Sequence, residues 1–330
     1  MPAAPRFSAR TIGIGAAVVT VLVWTAFIVI ARASAAHSLS PFDITFLRIV
    51  GASMVLVPWG AWLVMRARRD DPAAGSLFGL SPMPLRITAI AGVFGGLAYG
   101  LLVYTGFVYA PATHASVLMP GSLPLWTTVL AALVLHDRIT PGRALGLALI
   151  VVGDLLVGGA SLLHALEGGE LWKGDLLFMS AAFCWACYSV VVRRHALDAV
   201  RATIAITVFA FVTYVPVYAL LAGFGVVASR LDSAPAGEIV FQLLFQGVAS
   251  VVISGITFTR MIQYFGPVRS TMITALVPGL SALGAALFLG EPLHWNLLAG
   301  LLLVTAGILF GVQRAQAARA MPPAVTPARG

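Results

Sequence analysis

The chain has 330 residues, of which 60% are apolar and only 10% carry a charge, and its mean hydropathy is +0.97. A soluble protein carries about 25% charged residues, so a soluble globular enzyme is excluded and a polytopic membrane protein is indicated. The net charge of +8 is spread in small groups between apolar runs, which argues against a nucleic-acid face and for topology signals.

A helix needs about 20 apolar residues to cross the hydrocarbon core. Runs of that kind lie near 11–31, 44–65, 87–109, 112–135, 142–163, 175–192, 202–222, 239–264, 268–289 and 295–313. They predict an all-α membrane protein of ten spans, with no room for a soluble domain between them. Continuous runs, without period-two alternation, argue against a barrel. The first run follows Arg6 and Arg10 and precedes Ala31-Arg32-Ala33-Ser34-Ala35, small residues of the type seen at cleavage sites. Its length and Trp24 favour a retained span over a signal peptide. Ala110-Pro111 predicts the break between spans three and four, and Gly266-Pro267 that between eight and nine.

With the N-terminus inside, sixteen of the basic residues fall on the cytoplasmic side and four, Arg32, Arg48, Lys173 and Arg230, on the other. That bias predicts an inner or plasma membrane protein with both termini cytoplasmic.

The second half restates the first. A shift of 154 sets Thr105 on Thr259, Ser116 on Ser270, Pro124 on Pro278, Asp137 on Glu291, Gly146 on Gly300 and Gly153 on Gly307. From Thr105 to Leu155, 12 of 51 positions are identical with no gap. Small loop shifts then pair Pro58 with Pro216 and Trp24 with Trp185. The expected units are 1–165 and 166–330, each of five spans. An odd count inverts the second unit, the architecture of many secondary transporters.

These residues also resemble a known family. Ser40-Pro41 with Phe46-Leu47-Arg48, then Ser116 through Pro124 to His136-Asp137-Arg138-Ile139-Thr140 and Gly146, look like the EamA repeat of the drug/metabolite transporter superfamily. Ser270 to Pro278, Leu289-Gly290-Glu291-Pro292-Leu293 and Gly300 repeat it. The resemblance implies ten helices in inverted halves and the movement of small organic metabolites, best matched by export of amino acids or related compounds. Multidrug efflux on the same fold is the alternative. It also implies that the first, third and fourth helices of each half line a central cavity. That would place Trp24, Tyr99, Tyr104, Trp126, Trp185 and Gln246 along the path, while Arg48 occupies the family's arginine position. The implied partners are a small-molecule solute, the lipid bilayer and, in a homodimer, a second copy.

Ionisable groups within spans cost about 2.5–3.5 kcal/mol at the centre, so each is a functional candidate. Asp154 is the deepest. It reads either as a coupling site or as a carboxyl paired with a neighbour such as Arg48, or protonated against lipid. Arg48, one turn inside its span, reads as a solute or gating residue or as a snorkelling base. Arg260 reads as snorkelling. His114, at the outer end of span four, is a candidate solute contact.

The six histidines show no metal-ligand spacing, so no metal and no cofactor are expected. Cys184-x-x-Cys187 has redox spacing but sits inside a span, where packing is the simpler role. Gly92, Gly96 and Gly100 read as a smooth packing face rather than a phosphate loop, and Ser250 with Ser254 as a small-residue ridge. No polar constellation for an intramembrane protease or lipid transferase is present, so no catalytic residue is assigned.

Overall fold

The computed structural model describes residues 9–165 and 167–320. Among the described residues there are ten helical runs, and no strands form. That follows from composition, because in lipid a backbone must satisfy its own polar groups and a helix does so locally. The runs are α1 (Ala9–Ala35), α2 (Pro41–Ala67), α3 (Leu85–Tyr109), α4 (Ala112–Leu135), α5 (Pro141–Ala165), α6 (Leu171–Arg194) and α7 (Ala199–Gly223). Then come α8, which starts at Ala236 and ends at Thr274, α9 (Leu276–Leu289) and α10 (Trp295–Ala320). Eight of them are long and apolar enough to cross a membrane, while Leu276–Leu289 and Trp295–Phe310 are shorter apolar helices.

One expected boundary moves. The break placed at Gly266-Pro267 is found at Ala275, between Thr274 and Leu276. Pro278 supplies the reason: it lacks the N–H that would bond the carbonyl of Thr274, so the helical ladder is interrupted there.

Start and stop signals are local. Ser40 caps α2 with a capping box: its hydroxyl accepts from the Asp43 N–H at 3.2 Å, and the Asp43 carboxylate accepts from the Ser40 N–H at 2.8 Å. Asp198 caps α7 by accepting from the Arg201 N–H at 3.0 Å. At their C-termini, α4 and α9 stop in the same way. His136 and Gly290 take left-handed backbone at φ 58 and 67, and the next N–H, of Asp137 or Glu291, bonds back to Ala131 or Ala285 at 3.3 Å. His136 and Gly290 are 154 positions apart, as are Asp137 and Glu291.

Packing repeats under exchange of the first five helices with the last five. α1 packs on α8 as α6 does on α3, α2 on α8 as α7 does on α3, and α1 on α9 as α6 does on α4. α5 and α10 pack on each other across their glycines. A Cβ on Gly153 would stand 2.7 Å from the Gly300 carbonyl oxygen, and one on Gly307 only 2.5 Å from that of Gly146. The first number of each pair rises as the second falls, so α5 and α10 run antiparallel. Bare glycine is what permits so close an approach.

α3 and α8 each contain a π-helical segment, Gly92–Ala98 and Leu243–Ile253. These also correspond under the 154-residue shift. The expected smooth face of α3 is present: Gly92 lies against Phe209, where an added Cβ would come within 2.4 Å.

Candidate functional site

Two ion pairs mark the ends of the bundle. Arg32, in the last turn of α1, pairs with Glu291 at 3.3 Å, and the same carboxylate accepts from the N–H groups of Ala112 and Thr113 that open α4. Arg193, in the last turn of α6, pairs with Asp137, just beyond the close of α4, at 2.5 and 3.1 Å. The 24 residues of α4 separate the two pairs by about 36 Å. These are the Arg32 end and the Arg193 end.

Between them lies a cavity of about 580 Å³, within the range of pockets for small organic ligands. Its lining reaches from Phe27 and Arg48, about 10 Å in from the Arg32 end, toward Val192, Ala199 and Thr203 near the Arg193 end. Beyond the Arg48 layer, toward the Arg32 end, Tyr104, Phe107 and Phe178 are packed with at most 2% exposure. Phe107 and Phe178 meet edge to face at 4.9 Å. The cavity is therefore closed on the Arg32 side by aromatic packing and extends to the other.

Arg48 is the charge in this space. Seven residues into α2, it points inward rather than snorkelling to an interface. Its guanidinium donates to the Ser250 hydroxyl at 2.6 Å and to the Gln246 carbonyl at 3.3 Å, reaches the Tyr104 hydroxyl at 3.5 Å, and lies 5.4 Å from the centre of the Phe27 ring. Every one of these partners is neutral. Among the described residues no carboxylate stands within ion-pair distance of Arg48. The network is braced behind: the Tyr104 hydroxyl donates to Gln246 Oε1 at 2.9 Å, and Gln246 is fully buried. A cation partly removed from water with neutral partners only is an incomplete pair, and here the open coordination faces a cavity.

The rest of the lining is mostly apolar and aromatic, with hydroxyls from residues such as Ser189, Thr203, Thr207 and Ser254. Trp24 packs on Phe258 at 5.0 Å, and Trp185 on Tyr99 at 4.9 Å and Tyr188 at 5.2 Å. Trp24, Arg48, Tyr99 and Trp185 thus share one cavity wall, with Tyr104 and Gln246 directly behind Arg48. Two other candidates sit elsewhere. Trp126 stands edge to face with Phe183 at 5.3 Å, its indole nitrogen buried and unpartnered. His114 turns away from the cavity, its Nδ1 2.9 Å from Asp175 Oδ1. Asp154 is not paired with Arg48; neither of its oxygens has a hydrogen-bond partner. Cys184 and Cys187 are free thiols, and Arg260 is exposed.

Ser250 was legible only as a packing ridge. Its contact with Arg48 joins residues 202 positions apart, a pairing that no local pattern encodes.

A family model, the EamA-like transporter family, matches residues 11–159 and again 172–312. The chain is 28% identical to a probable amino-acid metabolite efflux pump of Salmonella typhimurium, over 66% of this chain and 75% of that protein. It is 25% identical to the uncharacterized transporter YyaM of Bacillus subtilis, over 70% of this chain and 75% of that one. An uncharacterized transporter of Archaeoglobus fulgidus is 25% identical over 88% of this chain and 93% of its own length. A solved crystal structure that is 21% identical covers 94% of this chain and all of the other at a TM-score of 0.58, a likeness of fold.

Proposed function

The chain belongs to the EamA-like transporter family, and we propose that it is a ten-span secondary transporter exporting small solutes that carry a carboxylate and an apolar body, amino acids and their metabolites above all. The observation that carries this reading is Arg48. A guanidinium offers a planar fork that matches a carboxylate, and this one meets the cavity with no protein anion to neutralise it. The aromatic wall of Trp24, Tyr99 and Trp185 suits the apolar remainder of such a solute. The name of the Salmonella relative, at 28% identity, points the same way.

Inverted five-helix halves, 1–165 and 166–330, are supported by several features. They are the exchange of packing partners, the antiparallel α5 and α10, the paired left-handed caps and the doubled family match. The positive-inside bias supports a cytoplasmic Arg193 end; in that orientation the cavity extends toward the side from which an exporter loads. Multidrug efflux draws support from the mostly apolar lining. Uncompensated Arg48 disfavours cationic solutes, which would meet a like charge in the cavity.

The test uses purified protein in proteoliposomes, with labelled phenylalanine and labelled phenethylamine, which differ by the carboxylate. Phenylalanine should be moved and phenethylamine should not compete. Arg48→Ala should lower phenylalanine transport by about 10- to 100-fold, the loss of a charge-assisted contact. Competition by the amine equal to that of the acid would overturn the carboxylate assignment.

A further inference from the structure

Apart from the solute cavity, α4, α5 and α6 border a second, half-open space of about 140 Å³. Two carboxylates reach it, Asp154 in the middle of α5 and Asp175 near the start of α6. Asp175 is partnered. One oxygen is 2.9 Å from His114 Nδ1 and the other meets the Ser161 hydroxyl. That hydroxyl has a single proton yet stands within bonding distance of two acceptors, Asp175 and the Gly158 carbonyl.

Asp154 is the opposite case. It is only 6% exposed, and neither oxygen has a partner. Asp43, also buried, shows how a carboxylate is compensated by hydrogen bonds in this fold. Its two oxygens accept from the Ser40 N–H and hydroxyl, the Tyr218 and Ser229 hydroxyls and the Arg230 N–H. An ionised Asp154 would have no such compensation, and an uncompensated buried charge is costly enough that the group takes up a proton instead.

The residues are strung along one stripe of α5. Asp154, Gly158 and Ser161 are spaced i, i+4, i+7, which puts them on one helix face, with about 10 Å of rise from first to last. Gly158 leaves the stretch between them bare. A Cβ there would stand 4.0 Å from Asp175 Oδ2 and 3.9 Å from Leu118, with nothing nearer. On its other side Asp154 abuts α4 at Gly121, where a Cβ would lie 3.6 Å from its Oδ1. The neighbouring Pro120 lines the solute cavity. Pro120 and Pro124 each remove a backbone donor from α4, so the helix is deformable where the carboxyl touches it.

The titratable groups on the helices packed around the site are few. On α4 the only titratable side chain is His114, and on α10 the described stretch 295–310 has none. α6 adds Lys173 beside Asp175, with Cys184, Cys187, Tyr188, Arg193 and Arg194 further along; α5 adds Arg143 at the far end and, three residues after Ser161, His164, whose side chain lies outside the described ones. Among the described residues no group of three ligating side chains could hold a metal ion, which favours a proton over a metal cation as occupant.

We propose that Asp154 is an exchangeable proton site, loaded from the Arg32 end through His114, Asp175 and Ser161, and that its protonation sets the bend of α4 and so couples a proton to solute movement. The proposal rests on the transporter reading above. Loading breaks one O–H bond of a hydronium ion at the Arg32 end and forms one on the Asp154 carboxylate. Release, when α4 rebends, breaks that bond and forms an O–H bond on a water at the other end. No electrons are transferred.

Two readouts on the full-length protein in proteoliposomes separate this site from the solute assignment. Infrared pH-difference spectra, recorded with no solute present, should show a carboxylic-acid C=O band that disappears in Asp154→Asn. Labelled phenylalanine is then followed in two modes, solute-for-solute exchange and accumulation driven by an imposed pH gradient. Asp154→Asn should lower gradient-driven accumulation by about tenfold or more and leave exchange within about twofold of wild type. Gly158→Val keeps both carboxyls and fills the space between them; it should slow the gradient-driven mode alone, and it decides the matter if Asp154→Asn does not fold. If the band survives in Asp154→Asn, or is missing from the wild type, or either folded variant accumulates phenylalanine like wild type, the proton site is wrong. If the band behaves as expected while phenylalanine moves in neither mode, the solute assignment fails and the proton site stands.

Discussion

Arg32 and Glu291 are bonded to each other at 3.3 Å, and through the same carboxylate Glu291 also holds the first two N–H groups of α4 at 3.0 and 2.9 Å. Arg32 in turn donates to the Phe107 carbonyl at 2.5 Å. One pair therefore ties α1, the end of α3 and the start of α4 to the loop after α9. Arg193 and Asp137 occupy the corresponding places at the opposite end, under the shifts of 161 and 154 that relate Trp24 to Trp185 and Thr105 to Thr259. Their burial differs: the Glu291 side chain is 11% exposed and Asp137 27%, against Arg32 at 33% and Arg193 at 54%.

That difference predicts unequal costs. Glu291→Gln should destabilise the protein by about 1–3 kcal/mol, because it removes a partly buried charge serving three donors. Asp137→Asn should cost less than about 1 kcal/mol, as for an exposed pair. Thermal unfolding in detergent, followed for both variants side by side, checks this. Equal losses would mean that the two ends are not held differently.

At the Arg48 network the expectation concerns geometry as well as charge. Arg48→Lys keeps the charge but loses the planar fork, so it should recover only part of the transport lost in Arg48→Ala. Tyr104→Phe strands the buried Gln246 Oε1, bonded at 2.9 Å in the wild type. It should raise the apparent KM for phenylalanine by about 3- to 30-fold, since an unsatisfied buried acceptor costs about 1–2 kcal/mol. Concentration series of initial rates distinguish that from a fall in maximal rate alone.

Trp24 and Trp185 face one cavity from the two halves. Replacing either with Phe should leave transport near wild type, because the aromatic contact to the solute is kept. Replacing either with Ala should weaken apparent affinity by about tenfold at matched membrane expression. Two Ala variants with wild-type rate and affinity would remove both residues from the path.

Orientation is tested with reporter fusions. Those after Arg69 and Arg143 should report the cytoplasm, and those after Glu170 and Glu291 the opposite side. Finding the 137–143 and 291–295 loops on the same side would undo the inversion of the halves.

What could be read from the chain alone was whatever is written locally. Spans follow from twenty-residue apolar stretches, and α4 lies over 112–135 as its flanking Pro111 and polar loop suggest. The repeat was legible because Gly146, Gly153, Gly300 and Gly307 had to stay small, although their facing across α5 and α10 is a tertiary fact. Arg48 stood out as a charge in an apolar run. Its partners did not, because Tyr104, Gln246 and Ser250 lie 56 to 202 positions away. The same holds for Asp175, whose partners His114 and Ser161 lie 61 and 14 positions away. The break at Ala275 was misplaced because Gly266-Pro267 is the louder signal on paper, whereas the donor that is missed in the helix belongs to Pro278.

The π-helical segments of α3 and α8 bear on how such a bundle changes shape. Each turn bonded i to i+5 holds one residue more than the α-helical turn it replaces, and one residue corresponds to about 100° of rotation about the helix axis. Gln246 and Ser250, which hold Arg48, lie inside the segment Leu243–Ile253. Relaxing that segment to α-helix, or sliding it one turn, would swing these two groups off the guanidinium while the far part of α8 stayed seated on α1. Hold on Arg48 and the phase of this part of α8 are therefore geometrically coupled: the two groups cannot turn away while both bonds to the guanidinium are kept.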